Sequence, residues 1–112
     1  MKNNSMTFHD FFFDDYIYNA RKNPTKYNFF NPYAQIVRLY DSHIRGNKLA
    51  LSPVHMITTG QIETFIADLA DTLAVEKSDP KVQKLLSILW DCFGFALDQG
   101  LVEVNPVCGD LM

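Results

Sequence analysis

Three histidines, two cysteines and thirteen acids are the residues of this 112-residue chain that could ligate a metal or move a proton. Their spacing supplies none of that chemistry. His9, His43 and His55 form no zinc-type pairing with one another or with Cys92 and Cys108. Asp14 and Asp15 are adjacent, so a helix turns them about 100° apart and they cannot share a proton as a dyad. There is no glycine-rich phosphate loop and no G-x-S-x-G elbow. Cys92, between Trp90 and Phe93, lies in an apolar run with no cation near it to lower its pKa, and reads as core. The expectation is a protein without catalytic residues, metal or cofactor.

What remains is charge. The chain carries ten Lys and Arg against thirteen Asp and Glu, a net charge of −3, which by itself disfavours a phosphate-bearing partner. The distribution is uneven. Between residues 21 and 48, Arg21, Lys22, Lys26, Arg38, Arg45 and Lys48 stand against Asp41 alone, a local balance of +5. Lys77, Lys81 and Lys84 against Asp79 add a second cluster of +2. The acids gather elsewhere, at Asp10, Asp14 and Asp15, at Glu63, Asp68, Asp71 and Glu76, and at Asp91, Asp98, Glu103 and Asp110. The two cysteines, without a disulfide or redox spacing, point to reduced thiols and a cytoplasmic setting. No apolar run reaches the length of a membrane helix, because "FFFDDYIY" is broken by acids.

The elements that must position these charges follow from breakers and periodicity. Four main helices are expected, in one domain with 47% hydrophobic residues. The first runs roughly over 8–21, capped by Thr7, with Phe8, Phe12, Phe13, Tyr16, Ile17 and Ala20 on the core face. Phe11 and Tyr18, seven apart, fall on the opposite face. "RKNPTKYNFFNP" is a loop, since each Asn-Pro pair disfavours helix. Asn31 and Pro32 then open a second helix that ends near Gly46. Tyr33, Ile36, Val37, Tyr40 and Ile44 form its core stripe, and Gln35, Arg38, Ser42 and Arg45 its polar, basic side. "NKLALSPVHMI" is expected to connect in extended form, because Pro53 forbids helix interior. Thr58 and Gln61 make a capping box for a third helix with Ile62, Phe65, Ile66, Leu69 and Leu73 inside. Asp79 and Pro80 open the fourth, about 30 Å long and closed by Gly100, which is apolar through its middle and polar at Lys81, Lys84 and Ser87.

The order of these signals resembles the core-binding (SAM-like) domain of the tyrosine recombinase, or phage integrase, family. The resemblance is carried by "TFHDFFFDDYI", by a basic helix ending near "IRGNKL", by "MITTGQIETFIADL", similar to an I-T-x-x-x-I-x-x-F pattern, and by "VQKLLSILWDCFGFALDQGLVEVNPV". It extends from Thr7 to Val107. It implies an all-α fold, a compact four- to five-helix bundle around a long central C-terminal helix. Residues 1–6 are then a disordered start or an added remnant, 7–104 the core-binding domain, and 105–112 the start of a linker to a catalytic domain outside these residues. That domain would supply the arginines, histidine and nucleophilic tyrosine, so none of Tyr16, Tyr18, Tyr27, Tyr33 and Tyr40 is read as the nucleophile.

The resemblance further implies that this domain forms one jaw of a clamp on double-stranded DNA. The catalytic domain of the same chain would be the other jaw, and further recombinase protomers would complete a tetramer. On that reading the second helix and the start of the fourth approach the major groove. Arg38, Arg45, Lys81 and Lys84 mainly contact phosphates, Lys48 and Ser87 belong to the same DNA-binding surface, and the amides at the start of the fourth helix add phosphate contacts. Gln35 and Ser42 are the candidates for a base edge. The net charge of −3 sets the expected affinity of the domain alone in the non-specific range, about 10⁻⁴ to 10⁻⁶ M. A second reading is a helical protein-interaction module without DNA binding, whose contact is the face of Phe11 and Tyr18. A helix-turn-helix regulator is disfavoured, because the connection over 45–58 is too long for the turn.

Overall fold

The computed structural model describes residues 6–19 and 32–107, with side chains from residue 35 onward in the second stretch. The expectations placed on Ala20 to Asn31, on the Tyr33 side chain and on Cys108 lie outside the described residues. The fold is all-α, with no strand among the described residues. The chain divides into two compact units, Met1–Val54 and His55–Met112.

In the first unit, helix α1 spans Phe8–Phe11 and continues as a π-helix over Phe12–Ile17. Thr7 caps α1, its hydroxyl accepting from the Asp10 amide at 3.1 Å. The segment leading in is held by its own backbone: Thr7 bridges Pro53, Phe8 N–H donates to Ser52 O, and Val54 N–H donates to Met6 O, both at 2.9 Å. The π segment corrects the expected facing of the first helix. Each i→i+5 bond spans one residue more than an α-helical bond, so the turn is wider and the seven-residue match of Phe11 with Tyr18 is lost. Phe8, Phe11, Phe12, Tyr16 and Ile17 are all buried, whereas Tyr18 is 59% exposed.

Helix α2, Pro32–His43, presents Tyr40 and, just past its end, Ile44 to the core, both fully buried. Phe12 stacks on Tyr40 with centroids 4.2 Å apart, and the buried Tyr40 hydroxyl is hydrogen-bonded to His9 Nδ1 at 2.6 Å. That bond satisfies a phenol that would otherwise be costly to bury. Gly46, at φ +84, makes the left-handed turn out of α2. The extended connection expected next is instead a short helix, α3, over Lys48–Leu51, followed by a 3₁₀ turn at Val54–Met56. Asn47 causes it, its Oδ1 accepting from the Leu49 amide at 2.9 Å, and Ser52 returns to extended backbone before Pro53.

In the second unit, α4 spans Thr59–Leu73 and α5 spans Pro80–Asp98, and the two pack together. The Thr58 and Gln61 capping box is formed in both directions, with bonds of 3.2 and 3.1 Å. α4 ends on Ala74 in the left-handed region, a position without a glycine to signal it. α5 begins at the Asp79 cap and Pro80 and closes at Gly100, φ +75, with Leu101 N–H bonded to Ala96 O. Ile62, Phe65, Ile66, Leu69 and Ala70 of α4 are buried, as are Val82, Leu85, Leu86, Ile88, Leu89, Cys92, Phe93 and Ala96 of α5. Trp90 and Leu97, in the apolar stretch of this helix, are 47% and 42% exposed.

The segment after α5 turns back onto its own unit. Asn105 Nδ2 donates to the Trp90 carbonyl at 3.1 Å, and the Asn105 side-chain oxygen accepts from the Val107 amide at 2.9 Å. Thr59 Oγ1 donates to Pro106 O at 2.7 Å, and Val107 is fully buried.

Candidate nucleic-acid interface

The second helix and the connection after it place five of the candidate residues in the first unit. Gln35, Arg38, Ser42 and Arg45 recur at three- and four-residue spacing along α2 and its first following turn, and all four are exposed. The row exists because Tyr40 and Ile44 take the opposite side into the aromatic core. Lys48, also exposed, opens α3.

The cations of this row are not equivalent. Arg45 Nε and Nη2 both donate to Asp41 Oδ1 at 2.8 Å, and its guanidinium lies 5.4 Å from the Phe13 ring centroid. An aspartate four residues before an arginine on one helix is a readable pairing signal, and summing the local charge to +5 passes over it. The stacking on Phe13 has no such local signal, since 32 positions separate the partners (45 minus 13). Arg38 and Lys48 have no side-chain ion pair among the described residues. Among the described residues they are the cations of this patch without such a pairing.

In the second unit, Lys81, Lys84 and Ser87 recur every three residues on the exposed side of α5, away from Val82, Leu85, Leu86 and Leu89. The helix start does not offer the open amides expected there. Pro80 has no N–H, the Lys81 amide donates to Asp79 Oδ1 at 2.9 Å, and the Val82 and Gln83 amides both donate to Asp79 O at 3.0 Å. The Asp79 carboxylate also occupies the position where the helix dipole would favour an anion. What this patch presents to solvent is therefore the lysine ammonium groups and the Ser87 hydroxyl.

Phe11, assigned with Tyr18 to a partner-binding face, is fully buried among Phe8, Phe12 and the rest of the aromatic core, with its ring centroid 6.0 Å from that of Phe8. That assignment is corrected: Phe11 lies three residues after the buried Phe8 in α1 and shares its inward side, and Tyr18 alone of the pair is exposed.

Among the described residues no group of three His, Cys, Asp or Glu side chains could hold a metal ion, and no polar or charged residue is buried. Cys92 is buried and is in no disulfide among the described residues. No described helix is long and apolar enough to cross a membrane. Compared with protein-family models, curated proteins and solved structures, the chain matches none.

Proposed function

We propose that this chain binds double-stranded DNA through its phosphates, as the non-catalytic, core-binding part of a site-specific tyrosine recombinase. The observation that carries the reading is the exposed row of Gln35, Arg38, Ser42 and Arg45 on α2, with Lys48 one turn beyond. A helix that buries one side and presents polar and cationic groups on the other is what backbone-tracking DNA contacts require. The resemblance from Thr7 to Val107 supports the same reading, and it adds the expected partners, a catalytic domain on the same chain and further protomers in a tetramer on DNA. Lys81, Lys84 and Ser87 form a second patch, taken on its own. Arg38, Lys48, Lys81 and Lys84 are assigned to phosphates, Arg45 to a phosphate once it leaves Asp41, and Gln35 or Ser42 to a base edge. The alternative of an interaction module read through Phe11 and Tyr18 has lost half of its contact.

The test is fluorescence anisotropy with a labelled random-sequence duplex over a salt series, for the unaltered chain and for Arg38→Ala and Lys84→Ala. Each variant is expected to bind more weakly and to reduce the salt slope by about 0.9, the value of one phosphate contact. Unchanged affinity and slope in both variants would remove these faces from consideration.

A further inference from the structure

Arg45 is held twice, and the two holds differ in kind. Asp41 accepts from Nε and Nη2 through one carboxylate oxygen, both at 2.8 Å, and so occupies hydrogen-bond donors that a phosphate would use. Phe13 occupies none of them. The guanidinium carbon lies over its ring, 5.4 Å from the centroid and inside the range of about 6 Å over which an aromatic face attracts a cation. That attraction acts on the charge as a whole and leaves the planar fork of N–H donors to other partners. A phosphate therefore competes with Asp41 for Arg45 and does not compete with Phe13.

The ring is itself fixed. Phe13 belongs to the π segment of the first helix and is half-buried. Its centroid lies 5.0 Å from that of Phe12, 5.1 Å from that of His9 and 5.3 Å from that of Tyr40, at interplanar angles of 86°, 62° and 81°. Phe12 and Tyr40 are fully buried, and the Tyr40 hydroxyl is tied to His9 Nδ1 at 2.6 Å. These three neighbours set the ring against the aromatic core as a platform under Arg45. An exposed arginine gives up rotamer freedom when it closes on one phosphate, and a guanidinium already confined by a ring gives up less.

We infer that Phe13 is a positioning residue for phosphate binding, keeping Arg45 at the end of the α2 row while the guanidinium exchanges Asp41 for a DNA phosphate. The inference rests on the DNA reading of that row and adds to it a residue of the first helix that acts through Arg45.

A double-mutant cycle of Phe13→Leu and Arg45→Ala, read by anisotropy with the labelled random-sequence duplex, separates this role from a structural one. Leucine keeps apolar bulk against Phe12 and Tyr40, and a further variant, Phe13→Tyr, keeps the ring. With Arg45 present, Phe13→Leu is expected to weaken binding about threefold, the worth of a cation–π contact at an exposed site. In the Arg45→Ala background it is expected to change nothing, and Phe13→Tyr is expected to bind as the unaltered chain does. A loosened fold would weaken binding equally in both backgrounds. If Arg45→Ala binds more weakly than the unaltered chain, then an equal loss in both backgrounds, no loss in either, or a loss that tyrosine does not avoid overturns the inference and leaves the DNA reading standing. Arg45→Ala binding as tightly as the unaltered chain overturns the inference together with the placing of Arg45 on DNA.

Discussion

Replacing Asp41 by asparagine should tighten DNA binding while leaving the fold in place. Asp41 holds Arg45 through a single carboxylate oxygen, accepting from Nε and Nη2 at 2.8 Å, with the two side chains 46% and 51% exposed. In that solvent an i,i+4 pair contributes about 0.3–0.5 kcal/mol, and asparagine is nearly isosteric. The thermal midpoint should therefore fall by no more than about 2–4 °C. Binding changes by more. Two unit charges about 4 Å apart in water interact by about 1 kcal/mol, so a released Arg45 that meets a phosphate adds about fivefold in affinity. One further phosphate contact steepens the salt slope by about 0.9, which over a fourfold rise in salt, from about 50 to about 200 mM, widens the affinity ratio by about 3.5-fold. Anisotropy with a random duplex at both salts measures each quantity. An Asp41→Asn protein with unaltered affinity and slope would refute the placing of Arg45 on a DNA face.

Phe11→Ala should destabilise the chain by about 3–5 kcal/mol, the cost of truncating a fully buried phenylalanine, whereas Tyr18→Ala should stay within about 0.5 kcal/mol; equal effects in urea unfolding would contradict the inward turn of Phe11. Thr58→Ala removes one arm of the α4 capping box and should cost about 1 kcal/mol by the same assay. Thr59→Val deletes the hydroxyl that holds Pro106 O and should cost about 1 kcal/mol while speeding amide exchange at Val107; unchanged exchange there would mean that the returning segment is not held by Thr59.

Much of the helical framework was legible because its signals are local. The Thr58 and Gln61 box, the Asp79 and Pro80 start and the Gly100 stop each act within a few residues, and each stands where the spacing put it. The misses have separate physical causes. The π segment in Phe12–Ile17 breaks the seven-residue match of Phe11 with Tyr18, and Phe11 packs inward with Phe8, three residues before it in α1. Packing of Phe12 and His9 on Tyr40 joins positions about thirty residues apart, which no window of sequence contains. The short helix Lys48–Leu51 is four residues long and shows no period, only its Asn47 cap. In α5 nearly every residue through the middle is apolar, so composition cannot tell which arc meets solvent, and Trp90 and Leu97 lie on the exposed one. At the candidate interface the residue types and their helical row were readable, but the compensation of Arg45 by Asp41 and the closed amides at Asp79 to Gln83 needed coordinates.

The most direct test of DNA binding is a backbone-amide NMR titration of the chain with a short random-sequence duplex at low and at moderate salt. The account predicts shifts confined to Gln35 to Lys48 and to Lys81 to Ser87, fading as salt rises. Shifts elsewhere with these two stretches silent, or no shifts at low salt, would contradict it.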